Sequence, residues 1–319
     1  MVVIVAAGRT GLAFVGRRQE MRALAAALGA GPAVVLVEGE AGIGKSRLVS
    51  EALAALHHDS GTPVLKGWCH PLREPSPFGP VVDALRDGLA HLPPDLELGP
   101  ATAILAPHLP EHTHRFPPQP TDAAEDTGGQ RLMRAIHEVL AAIGPVVLVV
   151  EDVHWADDAT RELLLLLARN PPPHLRLLIT YRRSDLPTHT APLGSPYRRP
   201  AGVGGHDITL HPLDQTQIQQ LAAGVLGKPA AHALAHQLFE RSAGLPLVAE
   251  EDLLALTATG RHPTEPAPRP SSLEDLPAPR ALKEAVSARL AELDVVAVAT
   301  VHAAAALSVP ATEELLATV

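Results

Sequence analysis

Residues Gly39-Glu40-Ala41-Gly42-Ile43-Gly44-Lys45-Ser46 satisfy every defined position of the pattern G-x-x-x-x-G-K-[ST]. Each residue type in it has a chemical reason. Glycines let consecutive backbone N–H groups curl into a concave anion nest without Cβ clashes. A helix starting near Lys45 adds the positive end of its dipole to bound phosphates. Lys45 is placed to reach β- and γ-phosphate oxygens, Ser46 to ligate Mg2+, and Arg47 follows in the same turn. The plain alternative is a glycine-rich turn. It fits less well, because an apolar strand precedes the loop and a helical pattern follows it.

A second constellation is Val146-Val-Leu-Val-Val-Glu151-Asp152. An acidic group at the tip of a buried strand is costly unless it meets a cation or a donor. Beside a phosphate loop that cation is hydrated Mg2+, and the neighbouring carboxylate can orient the attacking water. By position, Glu151 serves the metal, through water, and Asp152 serves the water. A solvent-facing loop start is the competing reading. A third feature is Leu177-Leu-Ile-Thr-Tyr-Arg182-Arg183. An arginine ending a central strand can sense a γ-phosphate; Arg182 is the first candidate and Arg183 the second, against a surface cation that merely follows a strand.

The elements that must position these groups are legible as alternating patterns. Ala33–Glu38, apolar and too short for a helix, reads as a strand buried on both faces. Residues 62–68, 145–150, 175–181 and 207–210 add four more. Helical spacing appears over 45–56, at Val81, Leu85 and Leu89, and at Leu132, Ile136, Val139 and Leu140. Asp157 or Asp158 can cap the helix that follows the acidic pair. Residues 92–127, rich in Pro and His, read as an excursion over the surface. Such alternation predicts an α/β fold: a three-layer core with a mostly parallel five-stranded sheet over 1–212. From Asp214 the pattern is wholly helical to 259. A proline-rich linker over 260–280 and a helical segment over 281–319 follow, and the last is too small to close a core alone.

Composition narrows the function classes. The chain has 319 residues, a net charge of −9 and 46% hydrophobic residues, which suffices for an ordinary globular core. Its 26 basic residues are scattered, so duplex DNA finds no basic stripe here. Lysine is confined to Lys45, Lys66, Lys228 and Lys283. The single Cys69 excludes an intrachain disulfide and fits a reducing, cytoplasmic setting. Neither the opening apolar run nor residues 163–168 are long enough to span a bilayer.

Taken together in this order, the motifs resemble the STAND class of signal-transduction ATPases, a branch of AAA+ proteins related to the origin-recognition ATPases. They look most like the ATPase part of large ATP-binding LuxR-type transcription regulators. Phe14-Val15-Gly16-Arg17 resembles the family's entry motif, which lies against the nucleotide. Gly67-Trp-Cys with Pro77-Phe-Gly-Pro80 resembles the segment between the two Walker motifs. Glu151-Asp-Val-His-Trp-Ala-Asp157 is similar to the Walker B signature, and Thr180-Tyr-Arg182 to the sensor motif, which favours Arg182 over Arg183. Gly244-Leu-Pro246-Leu resembles the proline motif of a helical lid, here 213–259, where Pro246 packs near adenine. His154 and Trp155 are taken as structural within the Walker B motif.

The resemblance covers roughly residues 12–300 and implies an ATP/ADP switch with Mg2+. ADP holds a closed form, and exchange for ATP with an inducer opens and self-associates the protein. It implies the start of a winged helix over 281–319, a chain that is a fragment, and DNA contact only through regions absent from it. The acidic pair departs from the commoner Asp-then-Glu order, so a shorter carboxylate stands at the water position and slow hydrolysis is expected. The alternatives are a stand-alone AAA+ hydrolase coupling turnover to remodelling or DNA-related work, an origin-recognition-like DNA-binding ATPase, and a degenerate ATP-binding scaffold.

Overall fold

The computed structural model describes residues 12–29, 31–71, 76–89, 93, 96–118, 128–186, 191–194, 197–258, 278–280, 283, 286–287, 290 and 294–307. It divides into two compact units, Met1–Pro212 and Leu213–Val319.

Five strands form the sheet of the first unit: β1 (Ala33–Glu38), β2 (Val64–Trp68), β3 (Val146–Glu151), β4 (Leu175–Tyr181) and β5 (Asp207–Thr209). Their order is β2-β3-β4-β1-β5, and every pairing is parallel. β1 and β3 are apolar up to their terminal glutamates, and β4 is apolar through Leu177-Leu178-Ile179, because helices cover both faces of the sheet. One face of Val34, Leu36, Leu148, Val150, Leu177 and Ile179 packs on α3 (Gly79–Leu89), α4 (Gly128–Ile143) and α5 (Asp158–Arg169). The alternate residues Val35, Val37, Val147 and Val149 are equally buried and point the other way. On that side lie α1 (Arg18–Gly29), which packs on β1, and its partner α2 (Lys45–Ser60). Asp157 is the residue that caps α5, its carboxylate accepting from the Thr160 N–H at 2.9 Å.

Two readings of the sequence are corrected here. Helix α1 was not anticipated. Nor is 92–127 merely an excursion over the surface: it holds 3-10 helices at Pro100–His108 and Pro110–Arg115. Thr102, Leu105 and Leu109 are fully buried, and the two leucines join the core cluster. A 3-10 helix repeats every three residues, so no 3.6-residue period marks it.

Gly67 and Pro80, distant in sequence, meet at the carboxyl end of β2. A Cβ on Gly67 would lie 1.9 Å from the Pro80 carbonyl oxygen, so only glycine fits there.

The second unit contains α6 (Gln215–Leu226), α7 (Lys228–Ser242) and α8 (Pro246–Ala258). Asp214 and Gln217 form a complete capping box at the start of α6. Arg241 of α7 pairs with the buried Asp252 of α8 at 3.0 Å. The linker expected over 260–280 lies, except for 278–280, outside the described residues. The expected winged-helix segment lies largely outside them too, and a helix over Val295–Leu307 is what is described there. Among the described residues no helix is long and apolar enough to cross a membrane.

Candidate functional site

The carboxyl ends of β1, β3 and β4 converge on the phosphate loop, as crevices do outside the carboxyl ends of parallel strands. The loop is pinned at its start by the Gly39 N–H, which donates to the Tyr181 carbonyl at 3.2 Å. Its curl uses left-handed backbone at Gly42 (φ 72°) and Gly44 (φ 98°), which glycine adopts without cost. Helix α2 then begins with no side-chain cap, and its first internal bond is Leu48 N–H to the Gly44 carbonyl. The N–H groups of Lys45, Ser46 and Arg47 therefore have no acceptor within the helix, which is the arrangement that receives an anion.

Lys45 is buried, and its ammonium donates to the carbonyls of Gly39 at 2.7 Å and Glu40 at 3.1 Å. Burial pulls its pKa down to about 8, against the opposing pull of Asp152. Val15 and Gly16 are half-buried. Arg17 is buried at the foot of the loop, where its guanidinium donates to the Ile43 carbonyl at 3.1 Å and pairs with Glu20 at 3.4 Å. Ala41 is half-buried and Glu40 exposed within the same loop. Arg47 donates to the Leu12 carbonyl and lies 5.9 Å from the Phe14 ring centroid.

The acidic pair is split by the end of the strand. Glu151 is wholly buried. Its Oε2 accepts from the Ser46 hydroxyl, while Oε1 has no aligned hydrogen bond and faces the Lys66 ammonium at 2.6 Å. The Ser46 hydroxyl and the buried Glu151 carboxylate are oxygen donors of the kind that suits Mg2+. Asp152 has left the strand in a left-handed conformation (φ 57°) and is a third exposed. Its N–H donates to Thr180 Oγ1 at 3.0 Å. Burial raises the Asp152 pKa, while the Lys45 and Arg182 cations pull it back.

Arg182, directly after β4, donates through Nη1 to Asp185 at 3.2 Å, and its Nε is buried without an aligned partner. Its charge is felt by both Lys45 and Asp152. Arg183 points elsewhere, 3.7 Å from Glu38 and largely exposed. His154 is buried, and its Nδ1 accepts the Arg182 N–H at 3.3 Å. Burial and then the Arg182 charge lower its pKa to about 4, so it is neutral near pH 7. Trp155 is exposed beside it, with ring centroids 5.3 Å apart.

Residues 13–180, more than half of the chain, match the family model described as AAA ATPase domain. The chain belongs to this AAA ATPase family. A curated relative of the domain is an uncharacterized protein of Rhizobium meliloti (strain 1021), 27% identical over 271 residues. That match spans 76% of this chain and 25% of the relative, so the chain corresponds to about a quarter of the relative's length. Among solved structures the fold is similar to the ORC2 protein of Aeropyrum pernix, solved as ADPNP–ADP complexes. That comparison gives a TM-score of 0.54 at 12% identity over 95% of this chain and 78% of that one. A STAND protein with a tetratricopeptide repeat sensor from Pyrococcus horikoshii matches with a TM-score of 0.46 at 18% identity. There the match covers 90% of this chain and 34% of the other.

Within the AAA ATPase domain, Lys45, Ser46, Glu151, Asp152 and Arg182 are neighbours, and Arg17 braces the loop they surround. Pro246 belongs to the second unit, where it opens α8 after a turn in which the Gly244 N–H donates to Ser242 Oγ at 3.2 Å. Sequence reasoning overlooked Lys66, Asp185 and the acceptor role of His154. The sequence signal for Lys66 was its rarity: it is one of four lysines, one residue before the Gly67 motif.

Proposed function

We propose that this AAA ATPase domain binds ATP and ADP with Mg2+ and serves as the nucleotide switch of a STAND-class signal-transduction ATPase. The setting that the motifs support best is transcription regulation, in a large ATP-binding regulator of the LuxR type. The observation that carries the reading is the grouping of Lys45, Ser46, Glu151, Asp152 and Arg182 around the phosphate loop, from the carboxyl ends of three strands.

In this reading, residues 39–47 hold the phosphates through backbone N–H groups, and Lys45 places its charge on the β- and γ-oxygens. Ser46 and Glu151, the latter through water, hold Mg2+, which when bound neutralises phosphate charge. Val15, Gly16 and Arg17 lie against the nucleotide. Asp152 orients the attacking water and takes its proton. Burial raises the Asp152 pKa and makes it the stronger base, while Lys45 and Arg182 limit that rise. Its short side chain holds that water less closely than a glutamate does, which makes hydrolysis slow and suits a switch. Arg182 senses the γ-phosphate. The ADP form is closed and cytoplasmic, and exchange for ATP with an inducer leads to self-association. Inducer recognition and DNA contact fall to other regions of such regulators.

The test is to identify the nucleotide that copurifies with the chain and to measure its exchange. Bound ADP that leaves slowly is the expected result. Absence of nucleotide together with no measurable ATP affinity would overturn the reading, and fast steady turnover would favour a stand-alone hydrolase instead.

A further inference from the structure

The acidic end of β3 carries a cation that the phosphate loop does not supply. Parallel pairing of β2 with β3 sets Lys66 opposite Val149 and Trp68 opposite Glu151. From there the Lys66 ammonium reaches Glu151 Oε1 at 2.6 Å and lies 4.8 Å from the Trp68 ring centroid. The two oxygens of Glu151 thus have different partners, Ser46 on one and Lys66 on the other. A carboxylate at 0% exposure is expensive to keep charged without a nearby cation, and Lys66 meets that need from within the chain. The ammonium itself lies over the indole face of Trp68, a cation–π contact that limits where it can go.

We propose that Lys66 is the resident counter-ion of the magnesium-side carboxylate, a positioning residue that weakens the dependence of nucleotide binding on Mg2+. The inference rests on the assignment of Ser46 and Glu151 to the magnesium side of the site. A divalent cation arriving at Ser46 and Glu151 meets a carboxylate already neutralised and is repelled by the ammonium beside it. The coupling between metal and nucleotide that would pass through Glu151 is therefore weak, and because coupling is reciprocal it is weak for both ligands. A domain of this kind retains ADP when free Mg2+ is low. Removing the Lys66 charge exposes Glu151 to the metal and makes the two ligands cooperative.

The experiment is a titration of the full chain with a fluorescent ADP analogue, in excess MgCl2 and in EDTA, for wild type and Lys66→Met, Lys66→Gln and Lys66→Arg. The readout is the ratio of Kd in EDTA to Kd in MgCl2. Wild type and Lys66→Arg should give a ratio within about threefold of one, and the two uncharged variants a ratio at least about tenfold higher. Affinity in EDTA should stay within about threefold of wild type in all four, because Lys66 acts on the metal and not on ADP. Lys66→Gln keeps a hydrogen-bond donor for Glu151, so it tests charge alone should Lys66→Met fold poorly. A ratio unchanged in both uncharged variants would overturn the proposal, as would a wild-type ratio on the order of 100. Failure of the wild type to bind ADP in either buffer would remove the nucleotide reading itself, whereas intact binding with unchanged ratios refutes only the role of Lys66.

Discussion

Gly67→Ala should be among the most damaging single-methyl additions in the AAA ATPase domain, and Gly88→Ala much less damaging, although both show the same overlap. A Cβ on Gly67 would stand 1.9 Å from the Pro80 carbonyl oxygen and 2.7 Å from its carbon. Carbon–oxygen contacts close at about 3.3 Å, so one backbone must retreat by about 1.4 Å. Neither can do so freely. Gly67 sits in a strand paired with β3, and Pro80 sits in the first turn of α3, whose Val81, Ala84 and Leu85 are fully buried. Overpacking that displaces backbone in a close-packed interior costs about 3 kcal/mol or more. On Gly88 the Cβ would meet Leu65 Cδ2, also at 1.9 Å, but that atom ends a flexible side chain. Leu65 is fully buried, so repacking it costs about 1–2 kcal/mol, but replacing glycine inside helix α3 returns about 1 kcal/mol, so the net loss is about 1 kcal/mol or less. Urea unfolding followed by tryptophan fluorescence isolates the relevant unit, because Trp68 and Trp155 both lie in Met1–Pro212. With a slope of about 3 kcal/mol/M, Gly67→Ala should lower the midpoint by about 1 M and Gly88→Ala by little. Equal midpoints for the two variants would refute the reasoning.

Two further predictions concern groups that brace the site. His154 has a folded pKa of about 4 against an ordinary 6.5, so between those values the unfolded chain takes up a proton that the folded chain refuses. Its contribution is absent above pH 6.5 and costs stability progressively as pH falls toward 4, up to about 3 kcal/mol. His154→Asn keeps an acceptor for the Arg182 N–H and removes the titration; its urea midpoint should therefore drop less than that of wild type between pH 7 and pH 4.5, and parallel drops would exclude the explanation. Arg17→Met removes the buried donor to the Ile43 carbonyl, an interaction on the order of 2 kcal/mol for a charged donor. The loop should then be less ordered and ADP affinity should fall by about tenfold, measured by calorimetry; unchanged affinity would assign Arg17 to folding alone.

Strands were the most legible part of the fold. β1 and β4 match the runs read from sequence residue for residue, because each is built on a short apolar stretch, Ala33–Val37 and Leu177–Ile179, bounded by residues that break it. Helix α1 escaped notice because its buried stripe, Leu24, Ala27 and Leu28, is one-third alanine and gives weak contrast against an alanine-rich exposed face. The 3-10 segments escaped for want of a 3.6-residue period. In the candidate site, the phosphate loop was readable because its function is encoded in contiguous residues. Lys66 was not, since its nearness to Glu151 depends on the parallel register of β2 on β3. The same holds for Gly67 and Pro80: each motif was visible separately, and their contact arises only when α3 folds back on β2. Asp152 was placed in a pair with Glu151, yet its left-handed backbone separates the two carboxylates into a buried and a partly exposed one.

The strand order explains why a sensing role for Arg182 would reach both halves of the site. β1, which carries the phosphate loop, and β3, which carries the acidic pair, are not neighbours; β4 lies between them. Three hydrogen bonds fasten the end of β4 to both sides. The Tyr181 carbonyl accepts from Gly39, Thr180 Oγ1 accepts from the Asp152 N–H, and the Arg182 N–H donates to His154. The Arg182 guanidinium is in turn steered by Asp185 at 3.2 Å. A displacement of the Arg182 backbone in the proposed switch would be passed to the anchor of Gly39 at the start of the loop and to the backbone of Asp152. In the proposed switch, the phosphate that distinguishes ATP from ADP is read on the strand that joins the binding loop to the hydrolytic carboxylate. Asp185→Asn should accordingly blunt the ability of the protein to tell ATP from ADP while leaving the phosphate loop, and with it ADP affinity, close to wild type.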